Sequence, residues 1–128
     1  MTTNDPKLAD LTCLLLRLQI HSRVFHWQTN SFAQHQAFGE FYGAISSLAD
    51  EIVEHIQGRS GKDGKVSFVR SESICLCNLN QVDPVTLFSA YQVDLERHFL
   101  PGAAPDIENL LQEAIAAVSK LLYLLTLS

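Results

Sequence analysis

The chain has 128 residues, of which 47% are hydrophobic and 18% charged, enough apolar surface to bury one core in a single domain spanning residues 1–128. Nine Lys and Arg against fourteen Asp and Glu give a net charge of -5, which argues against a nucleic-acid interface driven by phosphate contacts. Cys13, Cys75 and Cys77 form an odd set without zinc-like spacing, which argues against a disulfide framework and for a reducing, cytoplasmic compartment.

In chain order, Asp5 and Pro6 give a cap and a first-turn proline, and Leu8, Leu11, Leu15, Leu18 and Phe25 recur at helical spacing, so a first helix is expected to about Thr29. Cys13, Leu16, Ile20, Val24 and Trp27 make a second apolar stripe on the other side. A helix apolar on two faces is buried on two faces, which points to a second subunit. Ser31 with Gln34 suggests a capping box for a second helix from Phe32 to Gln57, closed by Gly58. Its core stripe is Phe38, Phe41, Tyr42, Ile45, Leu48, Ala49, Ile52 and Ile56. The opposite side carries Gly39, Gly43, Ser46 and Ser47 before Asp50 and Glu54, and is read as a surface for close helix approach.

Residues 58–65 hold three glycines and four charges, a connection rich in turn formers. A crossover with a short helix near Ser71 to Leu79 is expected next. Asp83 and Pro84 open a third helix with Leu87, Phe88, Tyr91, Leu95 and Phe99 as its stripe, stopped by Pro101 and Gly102. Pro105 and Asp106 open a fourth, with Ile107, Leu110, Leu111, Ala114, Val118, Leu121, Leu122 and Leu125 facing inward. Two short links and one long central link predict an all-α four-helix bundle with a crossover between helices 2 and 3. The most apolar run, Ala114 to Leu127, is short for a bilayer, and no secretory signal is expected, so the reading is a soluble protein without a membrane partner.

Chemistry concentrates between His26 and Glu54. Asp50 and Glu54 stand one helical turn apart and can chelate a cation together, and His26 and His35 flank the first short loop. Two imidazoles and two carboxylates suit iron, manganese or zinc. Within one chain, however, His35 and Asp50 are separated by about 22 Å of helix at ~1.5 Å per residue. Two copies packed with antiparallel second helices would bring the histidines of one to the acids of the other, across the glycine and serine face.

The series His26-Trp27, a short loop, Phe32 with His35, the pair Phe41-Tyr42 and Leu48-Ala-Asp-Glu-Ile-Val-Glu54 resembles the Dps-type miniferritins. The resemblance covers Leu18 to Gln57 and implies a ferritin-like bundle and a ferroxidase-type site shared by two-fold related subunits, with His26 and His35 from one and Asp50 and Glu54 from the other. It also implies oxidation of Fe(II) by peroxide or dioxygen, with ferric mineral stored in a hollow, dodecameric shell. The family has a carboxylate one turn after the second histidine, where this chain has Gly39, with Glu40 expected to point elsewhere. One ion held tightly and a second weakly is the expected result. The loop between the histidines is short for the family, as is the chain, and the lysine-rich tail that binds DNA in some members is missing.

Two other readings stand beside this one: a non-catalytic helical dimer with a structural or interaction role, and a different enzyme using two histidines and two carboxylates. Among the remaining residues, Trp27 and Tyr42 are read as packing anchors and His21 as a partly buried structural histidine. Glu51 with His55 is a surface or fallback ligand pair, His98, Asp94 and Glu96 form a solvated face, and the cysteines are buried thiols.

Overall fold

A computed structural model describes residues 6–62, 64–68, 71–98 and 103–127. These form four helices, α1 (Pro6–Gln28), α2 (Phe32–Arg59), α3 (Pro84–Arg97) and α4 (Pro105–Leu125), with no strand among the described residues. Asp5, Phe99, Pro101 and Gly102, expected to cap the first helix or to extend and stop the third, lie outside them.

The helix boundaries follow local chemistry. Ser31 is the N-cap of α2, its Oγ accepting the Gln34 amide at 3.2 Å. Asp83 caps α3, accepting the Thr86 amide at 3.3 Å and the Thr86 hydroxyl at 2.7 Å. Pro84 and Pro105 stand in the first turns of α3 and α4, where a missing N–H costs nothing. The second helix passes Gly58, the expected stop, and ends at Arg59. Ser60 caps it with its amide and hydroxyl on the Ile56 carbonyl, and Gly61 then turns the chain at φ +88°, where a side chain would be strained.

The helices form a ring in which α1 packs on α2, α2 on α4, α4 on α3 and α3 on α1. The Gln28 side chain at the end of α1 donates to Asn78 and accepts the Leu79 amide just before α3 begins, and Arg59 at the end of α2 reaches Asp106 at the start of α4. The start of α3 therefore lies at the α1–α2 loop and the start of α4 at the far end, so α2 and α3 run parallel and α4 runs back alongside them. The described residues of the 60–83 crossover run the length of the bundle. Val66 donates to Gln57 at the far end, Glu72 lies beside Asp10 and Arg17 of α1 and Asp94 and Arg97 of α3, and Leu79 reaches the other end. The short helix expected at Ser71 to Leu79 is absent: the segment is irregular, with its backbone tied to side chains of α1 instead of to itself.

One core unites all four helices, and the inward stripes fill it largely as their spacing predicts. At the α1–α2 loop end the core is aromatic. Phe88 meets Phe25, Phe38, Phe41 and Tyr91 with ring centroids 5.5–5.9 Å apart, and Phe25 stacks on Phe38 at 5.1 Å. The second stripe of α1 is only partly covered within the chain. Cys13 and Val24 are buried and Ile20 is half-buried, but Leu16 is 39% and Trp27 71% exposed, because the ring of helices covers only part of that side.

Candidate functional site

The aromatic floor made by Phe25 and Phe38 fixes the end of α1 against the start of α2, and above it the two histidines meet. His26 and His35 stack with ring centroids 3.8 Å apart and planes 15° from parallel. Each ring is tied to the other residue's backbone: His26 Nδ1 lies 2.6 Å from the His35 carbonyl oxygen, and His35 Nδ1 lies 2.8 Å from that of His26. A carbonyl oxygen only accepts, so both Nδ1 atoms carry the proton and donate. In each neutral ring the free lone pair then sits on Nε2, a tautomer that can ligate a metal through that nitrogen, and the carbonyls hold the ring orientations as outer partners of ligating imidazoles do.

The surroundings fix the pair further. The Tyr42 ring meets His26 edge-on at 5.4 Å, and the Arg23 guanidinium lies over the Tyr42 ring, 4.8 Å from its centroid. Gly39 has a reason inside the chain that sequence spacing missed. A Cβ on Gly39 would stand 3.1 Å from His26 Cε1 and 3.3 Å from Nδ1, so the imidazole occupies the space a side chain would take. The carboxylate expected by resemblance one turn after His35 is thus replaced by the His26 ring itself. Glu40, expected to point elsewhere, lines the same open depression as His26, His35, Gln36 and Gly39. A Cβ on Gly43 would meet no atom within 4 Å.

Asp50 and Glu54 are exposed further along α2, and Glu54 borders a second depression with Gln57, Lys62 and Lys65. The histidines and these acids do not converge within the chain, and no group of three His, Cys, Asp or Glu able to hold a metal ion occurs among the described residues. Trp27 and Phe32 flank the histidine loop at 71% and 72% exposure. Trp27 is therefore no anchor of this chain's own core, whereas Tyr42 packs as expected.

Other ionisable groups have structural duties. Glu51 and His55 are exposed, as the surface reading has them; His55 Nδ1 lies 2.7 Å from Asp106 Oδ2, while Arg59 donates through Nε and Nη2 to Asp106 Oδ1 at 2.9 and 2.6 Å. These contacts, Arg59 first and His55 second, hold the Asp106 carboxyl well below the usual carboxylate range. Half-buried His21 hydrogen-bonds the Tyr91 hydroxyl through Nδ1, and its Nε2 donates to the Cys75 carbonyl at 3.3 Å. His98 and Asp94 are half-buried in a cleft beside Asp10, Cys13, Arg17, Glu72 and Arg97, whereas Glu96 is exposed as the solvated-face reading has it. Burial pushes the His98 pKa down. Cys13 is buried as expected, but Cys75 and Cys77 are exposed on the crossover.

No helix among the described residues is long and apolar enough to cross a membrane. No curated protein and no solved structure matches the chain. The profile of DUF5856, a family of unknown function, matches residues 26–125, from the first histidine of the stacked pair through the end of α4, and the chain belongs to that family.

Proposed function

We propose that the protein is a ferritin-like, Dps-related iron-binding dimer in which His26 and His35 of one subunit and Asp50 and Glu54 of its two-fold partner hold Fe(II) for oxidation by peroxide or dioxygen. The observation that carries this reading is the reciprocal clamp of the two imidazoles, which leaves an Nε2 lone pair on each of two rings already held in place. An orientation fixed before binding spares the ordering cost at the moment of ligation. The parallel α2 and α3 with one long crossover suit a ferritin-like bundle. The open Gly43 supports close approach of a second α2.

Each side chain then has a task. The Nε2 atoms and the two carboxylates supply a mixed N/O donor set suited to iron, with manganese or zinc as alternatives. The carbonyls of His26 and His35 accept the Nδ1 protons and strengthen the opposite nitrogens as donors. Fe(II) is the electron donor and the peroxide or dioxygen is reduced; storage as ferric mineral would require assembly of dimers into a shell.

One observation favours the second reading, a non-catalytic helical dimer. The position of the family's extra carboxylate is taken up by the His26 ring against Gly39, which leaves fewer ligands for a second ion. Complementation separates the two. A variant lacking both histidines (H26A/H35A) and one lacking both acids (D50N/E54Q) should each fail to oxidise Fe(II). Unfolded together and refolded, they form heterodimers with one intact site, and activity should return. Oxidation by neither variant alone nor the mixture, with the wild type also inert, leaves the structural dimer; a monomer by light scattering rejects both readings.

A further inference from the structure

One buried tyrosine has a base hydrogen-bonded to its hydroxyl. Tyr91 of α3 is only 8% exposed, its ring packed edge-on against Phe88 at 5.5 Å and stacked on His21 of α1 at 5.9 Å. Its hydroxyl meets His21 Nδ1, and His21 Nε2 lies 3.3 Å from the Cys75 carbonyl oxygen. That carbonyl only accepts, so Nε2 carries the ring proton and, in the neutral imidazole, the Nδ1 lone pair accepts the Tyr91 hydroxyl. Burial pushes the Tyr91 pKa up, so the phenol is protonated at neutral pH. Taking an electron from a buried phenol leaves a cation unless the proton departs with it, and an isolated cation is costly to hold among apolar side chains. His21 Nδ1 is an acceptor already in place, and the imidazolium formed there keeps its Nε2 bond to the crossover. Tyr42 lies nearer the histidine pair but is the poorer donor, because the Arg23 guanidinium over its ring opposes loss of an electron.

We propose that Tyr91 is a redox-active tyrosine, oxidised by one electron as its hydroxyl proton passes to His21 Nδ1. The O–H bond breaks, the proton binds the imidazole lone pair, and the electron goes to the oxidant, leaving a neutral phenoxyl radical beside an imidazolium. On the iron reading, on which this role rests, the oxidant is peroxide. Peroxide takes two electrons and two solvent protons to become two waters, and one Fe(II) gives a single electron. The His26 ring fills the place against Gly39 where a further ligand for a second ion would stand, so the second electron comes from Tyr91. A later Fe(II) returns that electron, and the proton goes back from His21. The fold places Tyr91 for this exchange: Phe88 bridges its ring to Phe25, the residue before His26. His21 itself precedes His26 by about 7.5 Å of α1 at ~1.5 Å per residue.

The first arm of the test contains no iron. The native full-length chain is oxidised by flash-generated ruthenium(III) tris-bipyridine, a one-electron oxidant, and tyrosyl radical is followed by absorbance and by electron paramagnetic resonance of frozen samples. The wild type should show a fast radical phase that slows in deuterium oxide and is missing from Tyr91→Phe, in which Tyr42 and Tyr123 supply the background. His21→Phe keeps a ring against Tyr91 but removes the base, and should slow that phase by about 100-fold, the low end of what a positioned base contributes. Circular dichroism checks the folding of both variants; if His21→Phe unfolds, the wild-type isotope effect and the loss in Tyr91→Phe carry the decision. An unchanged radical phase in Tyr91→Phe, no isotope effect, or an equal rate in folded His21→Phe overturns the proposal. In the second arm, one Fe(II) per site is mixed with peroxide, and the radical should form in the wild type and not in Tyr91→Phe. Fe(II) oxidation without a radical removes Tyr91 from the iron chemistry. No Fe(II) oxidation at all, with the first arm positive, defeats the iron reading and leaves the Tyr91–His21 pair standing.

Discussion

At the scale of single residues, two glycines on α2 do different work. A side chain on Gly39 would meet the His26 ring at 3.1 Å, whereas one on Gly43 would meet nothing. Replacing a helical glycine by alanine stabilises a chain by about 1 kcal/mol when space allows. Gly43→Ala should therefore raise the melting temperature of the isolated subunit by a few degrees while weakening self-association, read by denaturation and by sedimentation over a dilution series. Gly39→Ala must move the His26 ring, so it should gain less stability and lower Fe(II) affinity with dimerisation unchanged. Equal effects of the two substitutions on iron binding would remove the seating role assigned to Gly39.

At the scale of elements, the far end of the bundle depends on a clamp between α2 and α4. Asp106 receives His55 on one oxygen and Arg59 on the other, and its carboxyl is held below the ordinary carboxylate range. A carboxyl whose folded pKa is depressed contributes stability that is whole above its unfolded pKa of about 3.9 and is lost as the pH falls through the folded value. Asp106→Asn should melt earlier than the wild type at pH 7, and the gap should narrow progressively below about pH 4. A gap that is constant from neutral to strongly acid pH would show that the clamp acts by packing alone. His55 and Arg59 sit one turn apart on α2, so both sides of the clamp come from one helix face and fix the rotation of α2 about its axis. That rotation determines where Asp50 and Glu54 point.

For the whole molecule, the aromatic part of the core lies under the histidines. Phe88 is fully buried and joins α1, α2 and α3 through its contacts with Phe25, Phe38 and Phe41. Truncating a buried phenylalanine costs about 3–5 kcal/mol through lost burial and the cavity left behind. Phe88→Ala should lower the melting temperature by on the order of 10–20 °C. It should also loosen the stacked imidazoles, seen as broadened His26 and His35 ring signals in NMR, since their floor is the Phe25–Phe38 stack. Unchanged ring signals in the folded variant would mean that the backbone clamp alone holds the pair.

The sequence by itself determined the four long helices, their inward faces and the long link between α2 and α3, because burial at 3.6-residue spacing and the Ser31, Asp83 and Pro105 boundaries are local properties. It also marked His26 and His35 as neighbours across a short loop, though nothing in their spacing reveals that each ring donates to the other's carbonyl. The irregular crossover, the exposure of Trp27, Cys75 and Cys77 and the seat that Gly39 gives to His26 were decided only by tertiary structure. Each depends on which surface a neighbouring element happens to cover. A residue pattern records that a side chain is apolar, but not whether another helix is there to meet it.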